Sequence, residues 1–153
     1  MAELRKSISI YPYSESYFSL GIAHYLKHEY DSSLYYYNEA LKRAPSIAKY
    51  HNNLATVYFE INQLDKALAE CQKAVELDPN YAEAFCNLGS VYGMMNKMDE
   101  AVLNFQKALA IAPNHARANF YMGKVLQVST DPGEKARAQY YLDKAASLDP
   151  QYK

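Results

Sequence analysis

Four prolines divide the chain into segments of nearly equal length: Pro45, Pro79, Pro113 and Pro150. The first three are 34 residues apart, and the last follows 37 residues after the third. An aspartate recurs at the same interval, as Asp31, Asp65 and Asp99. Fixed periods of about 20 to 50 residues indicate a repeat protein, in which each repeat buries its apolar face against its neighbours. The interval therefore predicts stacked copies of one small structural unit.

Each period has the pattern of two amphipathic helices. In the third period, apolar side chains recur at helical spacing from Ala82 to Met95 and again from Asp99 to Ile111. Asn96 lies between them, and asparagine tolerates the left-handed backbone of a tight turn. Asp99 begins the second helix, where a carboxylate interacts favourably with free N–H groups and the helix dipole. We therefore expect a helical hairpin in every period.

Two further features refine this prediction. In the fourth period, Asp131 is expected to cap the second helix, with Pro132 at its first position and Glu134 in its first turn. Small residues share one position in the first helix of all four periods: Gly21, Ala55, Gly89 and Gly123. A larger side chain there would overpack the contact between the helices of a hairpin. This position predicts where those helices approach most closely.

The third period resembles a known family. Its segment FCNLGSVY at residues 85–92, followed by Ala101, Phe105 and Pro113, is similar to the tetratricopeptide repeat (TPR), with phenylalanine in place of the tryptophan of that pattern. The resemblance covers about residues 14–150. It implies an all-α fold, a right-handed α-solenoid of about four TPR hairpins.

On this basis we divide residues 1–153 as a single array. The repeats are expected at residues 14–47, 48–81, 82–115 and 116–152, the last with a three-residue insertion. Residues 1–12 resemble the remnant of a preceding helix and would form a short extra N-terminal helix. Residues 148–152 resemble residues 77–81, which open a new repeat, whereas arrays need polar caps for solubility. We therefore expect either that the native array continues or that the last hairpin packs on another copy.

In the TPR family, the first helices of successive repeats line a concave groove that binds partner proteins. The resemblance assigns to this groove Phe18, Ser19, Ile22, Lys49, Asn52, Asn53, Thr56, Phe59, Asn87, Ser90, Met94, Arg117, Tyr121 and Lys124. Asn53 and Asn87 share one position, at which asparagines of some family members grip the backbone of an extended peptide. An amide offers the donor and the acceptor that a peptide unit needs. The alternative is that both are ordinary polar surface residues.

The character of these residues indicates a type of partner. Phe18, Ile22, Tyr25 and Phe59 suggest an apolar patch toward the N-terminal half, whereas Arg117 and Lys124 make the C-terminal half more basic. A protein segment with apolar residues at one end and an acidic residue at the other would match. The set of residues that clamps a terminal carboxylate in some family members is incomplete in this chain.

Composition excludes several classes of function. The formal net charge is −1, so the basic surface of a nucleic-acid-binding protein is not expected. The sequence has no run of 18 apolar residues, which predicts no insertion into a membrane. Cys71, at a core position, and Cys86, facing the groove, are expected to be reduced thiols rather than a disulfide. We expect a cytoplasmic location.

No pattern typical of an enzyme is present. The sequence lacks a Gly-rich phosphate loop, a nucleophile elbow and a metal-binding motif, so we expect no catalytic residue, no cofactor and no bound metal. His24 and His28 are four residues apart, a spacing at which both can reach one metal ion. They hold the positions of Tyr58 and Asn62 in the next repeat, which favours a fortuitous pair.

Three functions follow from these features. The leading interpretation is a protein–protein interaction scaffold or adaptor that binds a partner segment in the groove through a few anchor residues. The second is the substrate-recruiting TPR region of a larger enzyme such as a glycosyltransferase. The third is a structural scaffold that self-associates through the uncapped ends of the array.

Overall fold

The computed structural model describes residues 12–153, which form eight α-helices and one 3-10 helix without any strand. The elements are α1 (Pro12–Leu26), α2 (Tyr30–Arg43), α3 (Ala48–Glu60), α4 (Leu64–Leu77), α5 (Ala82–Met94), α6 (Met98–Ile111), α7 (Ala116–Gln127), α8 (Pro132–Leu148) and a 3-10 helix (Pro150–Tyr152). The predicted all-α fold of about four hairpins is confirmed. The predicted N-terminal helix remnant lies, apart from Pro12, outside the described residues. Within residues 12–153, every helix falls short of the length and apolar character that crossing a membrane requires.

The chain consists of two compact units, the N-terminal unit, Met1–Asp78, and the C-terminal unit, Pro79–Lys153. In the N-terminal unit, α1 pairs with α2 and α3 with α4, while α2 also packs against α3. In the C-terminal unit, α5 pairs with α6 and α7 with α8, while α6 packs against α7. Each unit therefore contains two consecutive hairpins. That all four form a single array stays a prediction.

The first three hairpins share one turn geometry. Its central residue has a positive φ, which is 60° at His28, 57° at Asn62 and 59° at Asn96. In the third hairpin, the N–H of Lys97 donates to the carbonyl of Tyr92 at 2.9 Å, and that of Asn96 donates to a carbonyl three residues earlier. These bonds form a Schellman motif, which satisfies the last carbonyl groups of a helix. The left-handed backbone predicted at Asn96 is confirmed.

The second helices begin in two ways. At α8, the Oδ1 of Asp131 accepts the N–H groups of Gly133 at 2.6 Å and Glu134 at 3.2 Å, which confirms the predicted cap. At α6 the N-cap residue is Lys97, which makes no side-chain capping bond, and Asp99 lies in the first turn. Asp99 therefore stabilises the helix through its charge near the dipole rather than as the N-cap residue.

Glycine is required where the two helices of a hairpin meet. A Cβ placed on Gly21 would lie 2.5 Å from the ring of Tyr37, and one on Gly89 would lie 2.7 Å from the ring of Phe105. Carbon atoms in ordinary contact are about 3.5–4.0 Å apart, so a methyl group at either glycine would displace the ring. The predicted position of closest approach is confirmed.

In the second and fourth hairpins, the side chain at this contact is smaller than the aromatic rings of Tyr37 and Phe105. In the fourth hairpin, a Cβ on Gly123 would lie 2.7 Å from Leu142 Cγ. In the second hairpin, Ala55 holds the position and Cys71 stands where the other hairpins have a larger side chain, and both are buried. Because cysteine is smaller than an aromatic ring, it leaves room for the methyl group of Ala55.

Aromatic side chains from both hairpins form the core of the N-terminal unit. Phe18 of α1 stacks on Tyr50 of α3 with ring centroids 4.5 Å apart, and it contacts Tyr37 of α2 at 5.5 Å. Leu54 and Val57 of α3 belong to the same buried cluster. The cluster therefore joins three helices and holds α1 and α3, the first helices of the two hairpins, beside each other.

Candidate functional site

In the N-terminal unit, the residues expected to bind a partner lie on α1 and α3, which contact each other. Six of them are exposed or half-buried: Ser19, Ile22, Lys49, Asn53, Thr56 and Phe59. They provide one cation, one amide, two hydroxyls and two apolar side chains. Such a mixture can both hydrogen-bond to a polypeptide backbone and pack against apolar side chains of a partner.

Phe18 and Asn52 are core residues rather than groove residues, which corrects the sequence prediction. The exposed fraction is 1% for Phe18 and 3% for Asn52. Phe18 turns inward because α1 and α3 lie side by side and Tyr50 offers it an aromatic face. The apolar patch predicted from four residues therefore loses Phe18 and keeps Ile22, Tyr25 and Phe59, which are half-buried.

Asn53 is half-buried on α3 beside a buried tyrosine. Its Nδ2 donates a long hydrogen bond of 3.5 Å to the hydroxyl of Tyr37. Burial raises the pKa of Tyr37, although hydrogen bonds with Asn53 and Ser33 act in the opposite direction, so the phenol is neutral. An amide carries two N–H donors and an oxygen with two lone pairs. Asn53 therefore retains capacity to bond a peptide unit.

In the C-terminal unit, α5, α7 and the N-cap residue of α7 bring together four polar side chains, here called the Glu83 cluster: Glu83, Asn87, His115 and Arg117. Arg117 Nη2 donates to Glu83 Oε1 and to Asn87 Oδ1. Glu83 Oε2 accepts a hydrogen bond from His115 Nε2 at 2.7 Å. His115 Nδ1 accepts the N–H of Ala118 at 3.2 Å, which leaves Nε2 to donate to Glu83. The negative charge of Glu83 thus balances the positive charge of Arg117.

Arg117 is consequently not an open cation, which corrects the prediction of a basic C-terminal half. The hydrogen bond from His115 lowers the pKa of Glu83; burial opposes this effect and the charge of Arg117 reinforces it, so the carboxylate is ionised. Burial alone would lower the pKa of Arg117, but electrostatic interactions with Cys86, whose thiol ionises only at high pH, and with Glu83 outweigh burial and raise the pKa. Lys124 is exposed and keeps its positive charge on the surface.

Asn87 differs from Asn53 although the two share a repeat position. Asn87 is 9% exposed, and its carbonyl oxygen accepts from Arg117. Its acceptor is therefore already engaged within the protein. The two asparagines are unequal as peptide-gripping groups, and Asn53 is the better placed.

The remaining predicted residues of this unit stay accessible. Ser90 and Tyr121 are half-buried, and Met94 and Lys124 are exposed. The ring of Tyr121 stacks on Phe105 with centroids 5.8 Å apart, which fixes its orientation. These residues give the C-terminal unit a hydroxyl, an aromatic ring, a thioether and a cation.

Cys86 is buried rather than directed toward the groove, another correction of the sequence prediction. Burial raises the pKa of its thiol to about 11, so it is protonated and unreactive at neutral pH. Cys71 is also buried, and both cysteines are free thiols.

Sequence reasoning missed the pairing of Glu83 with Arg117 and the contribution of His115. A signal for the pair was present, because Glu83 and Arg117 are 34 residues apart and hold one position in consecutive repeats with opposite charges. Stacking of the two hairpins brings these positions together. Nothing in the repeat pattern marks His115, which precedes the helix.

His24 of α1 and His28 of the turn that follows it are each engaged in other contacts. His24 Nδ1 lies 2.5 Å from Glu29 Oε2, and His28 Nδ1 lies 3.0 Å from the Tyr30 hydroxyl. In the part of the chain that the structure describes, no three His, Cys, Asp or Glu side chains are placed to hold a metal ion.

Paired helices with accessible polar and apolar side chains on their first members define a helical-repeat protein of the interaction-scaffold class. Comparison with known families agrees with this class. The chain belongs to the tetratricopeptide repeat family. Family models described as tetratricopeptide repeat match residues 14–47, 36–69 and 82–115, and one described as TPR repeat matches residues 55–96.

A comparison with curated proteins gives no match. Among solved structures, the chain is similar to the MamA protein, with 27% identity over 90% of this chain and 73% of that chain and a TM-score of 0.73. The TPR domain of Arabidopsis OM64 shares 25% identity, over 74% of this chain and 93% of that chain, with a TM-score of 0.72. The first TPR of Spaghetti (RPAP3), bound to an HSP90 peptide, has the same fold at 22% identity, over 76% and 93%, with a TM-score of 0.74.

Proposed function

We propose that this protein is an interaction scaffold or adaptor that binds a segment of a partner protein on the first helices of its hairpins. The observation that carries the proposal is the surface of α1 and α3, where the half-buried amide of Asn53 is accompanied by Ile22 and Phe59 on the same pair of helices. Membership of the TPR family, whose fold serves in general as an interaction scaffold, supports it.

The proposed contact residues are those whose side chains are accessible. In the N-terminal unit they are Ser19, Ile22, Lys49, Asn53, Thr56 and Phe59; in the C-terminal unit they are Ser90, Met94, Tyr121 and Lys124. Phe18 and Asn52 support this surface from the core. Asn87 acts by holding Arg117 rather than by contacting the partner.

The chemistry of these residues fits an extended peptide segment. Asn53 can donate to a backbone carbonyl and accept from a backbone N–H, and this needs no particular partner side chain. Ile22 and Phe59 would add selectivity by packing against apolar residues, because burial of apolar area supplies most of the affinity at anchor positions. We assign no catalytic role to any residue.

We also propose that the protein works in a reducing compartment such as the cytoplasm. Cys71 and Cys86 are free thiols, whereas disulfides are common in proteins of oxidising compartments. A nucleic acid is not the proposed partner, because the net charge of −1 provides no excess of cations for phosphate groups.

Peptide selection followed by affinity measurement tests the proposal. Displayed random peptides are selected on the protein, and calorimetry measures the binding of one selected peptide to two variants. Asn53→Ala is expected to weaken binding about five- to tenfold, the loss of roughly one buried hydrogen bond. Asn38→Ala removes the same amide from the exposed face of α2 in the same unit and is expected to leave the affinity unchanged. Equal affinities of both variants for every selected peptide would overturn the proposal.

A further inference from the structure

The Glu83 cluster lies on the helices to which we assign partner binding in the C-terminal unit. Glu83 and Asn87 come from α5, and Arg117 comes from α7. The pair is partly open to solvent, since 40% of the Glu83 side chain and 32% of the Arg117 side chain are exposed. A partner segment bound along α5 and α7 would therefore meet a carboxylate and a guanidinium that already bond to each other.

We propose that Glu83 is an internal acidic ligand of Arg117 and sets the charge preference of this surface. At this place the surface accepts a neutral or basic residue of the partner segment and rejects an acidic one. The inference rests on the proposed function, because it names the kind of segment that the C-terminal unit binds.

Charge explains the preference more than a shortage of donors does. Arg117 has five N–H groups, and the bonds to Glu83 and Asn87 use one nitrogen, so donors remain. A partner carboxylate, however, would enter a site in which the guanidinium charge is already balanced, and it would lie beside the carboxylate of Glu83. Juxtaposed like charges are strongly unfavourable at interfaces.

A hydrogen-bond-donating or basic group of the partner finds free acceptor positions on Glu83, which is the more exposed of the two paired side chains. Each carboxylate oxygen of Glu83 accepts one hydrogen bond within the cluster, from Arg117 and from His115. A carboxylate has about four lone-pair positions, so it can accept further hydrogen bonds. A backbone N–H, a lysine or an arginine of the partner can therefore bind to Glu83 without displacing Arg117.

A different role for the same contacts is purely structural, in which the pair only joins the third and fourth hairpins. In that case, removing the charge of Glu83 lowers stability and affects acidic, neutral and basic segments alike. The two roles therefore predict different effects on the charge of the peptides that bind, and the charge of selected peptides distinguishes them.

Parallel peptide selection on three forms of the protein provides the first test. We expect the wild-type protein to select few acidic residues, Glu83→Gln to select peptides enriched in Asp and Glu, and Arg117→Gln to select peptides enriched in Lys and Arg. Glu100→Gln, which makes the same charge change on α6 of the same unit, is expected to select as the wild type does. Indistinguishable charge in the wild-type and Glu83→Gln pools would overturn the inference.

A small-molecule titration gives a second readout that does not require a peptide ligand. N-acetylglutamate is added to labelled protein while the side-chain Nε–Hε signal of Arg117 is followed by NMR. We expect the Arg117 signal of Glu83→Gln to shift at N-acetylglutamate concentrations at least about fivefold lower than those that shift it in the wild type. Equal responses would contradict the inference. If no form selects any peptide, the proposed function fails, and this titration still decides whether Glu83 blocks Arg117.

Discussion

Gly89 and Gly93 lie in the same helix, α5, but in opposite surroundings. A Cβ on Gly89 would meet the ring of Phe105 at 2.7 Å, whereas a Cβ on Gly93 has nothing within 4 Å. We expect Gly89→Ala to lower the free energy of unfolding by about 1–3 kcal/mol, because the buried ring must move. Gly93→Ala is expected to raise it by up to about 1 kcal/mol, because alanine favours the helix. Urea denaturation of both variants measures the difference, and similar effects would show that the close approach is misassigned.

The protonation of His51 makes the stability of the protein depend on pH. Its Nδ1 lies 2.6 Å from Glu70 Oε2, and its Nε2 lies 2.9 Å from the carbonyl oxygen of Pro45. Burial alone would lower the pKa of His51, but the hydrogen bonds to Glu70 and Pro45 outweigh it and raise the pKa above its ordinary value. The resulting stabilisation is fully present below the unfolded pKa and is lost as the pH rises through the folded pKa.

Glu70→Gln tests this link. We expect the variant to be less stable than the wild type by about 1 kcal/mol at pH 5.5, with a smaller difference at pH 8.5, because this stabilisation is lost as the pH rises through the folded pKa of His51. Denaturation curves at the two pH values give the comparison. A stability difference that grows toward high pH would show that the charged form of His51 is not the one that Glu70 stabilises.

The direction of the Phe18 side chain is a feature that the sequence alone did not predict. Phe18 holds a position that the family resemblance assigns to the groove, yet its ring stacks on Tyr50. The third position of the repeat is Tyr50 in the second hairpin but Ala84 and Ala118 in the later ones. The direction of Phe18 therefore depends on one tertiary neighbour rather than on the repeat pattern, and the pattern alone could not predict it.

At the scale of helices and turns, the sequence was far more informative. The 34-residue interval and the helical spacing of apolar residues predicted the hairpins, because every repeat must bury the same face. The cap at Asp131 and the turn at Asn96 followed from local chemistry that needs few distant contacts. The N-cap residue of α6 was not predicted, since Lys97 lacks the side-chain acceptor that normally marks such a position.

The turn at Asn96 gives a prediction about an element. Its φ of 59° disfavours a residue with a Cβ that cannot bond locally. We expect Asn96→Ala to destabilise the protein by about 1 kcal/mol and Asn96→Gly to be neutral or stabilising. Asn114→Ala is the control, since Asn114 is an exposed turn residue without a positive φ. Thermal unfolding measures all three, and equal losses for both alanine variants would contradict the role of the left-handed turn.

For the whole molecule, the central claim is that partner segments bind to the first helices of the hairpins. Family membership supports the general role, and we propose that contact occurs at the accessible side chains on α1, α3, α5 and α7. The pairing of Glu83 with Arg117 changes the expected partner, because the C-terminal unit is charge-balanced at that place rather than basic. An acidic end of the partner segment is therefore no longer expected at Arg117.

Backbone amide shifts measured by NMR during titration with a selected peptide test this claim most directly. The account predicts that the largest shifts occur on the first helices, around Ser19, Ile22, Asn53 and Thr56 in the N-terminal unit or around Ser90 and Tyr121 in the C-terminal unit. Shifts concentrated on α2, α4, α6 and α8, with the first helices unchanged, would contradict it and place the binding surface on the second helices.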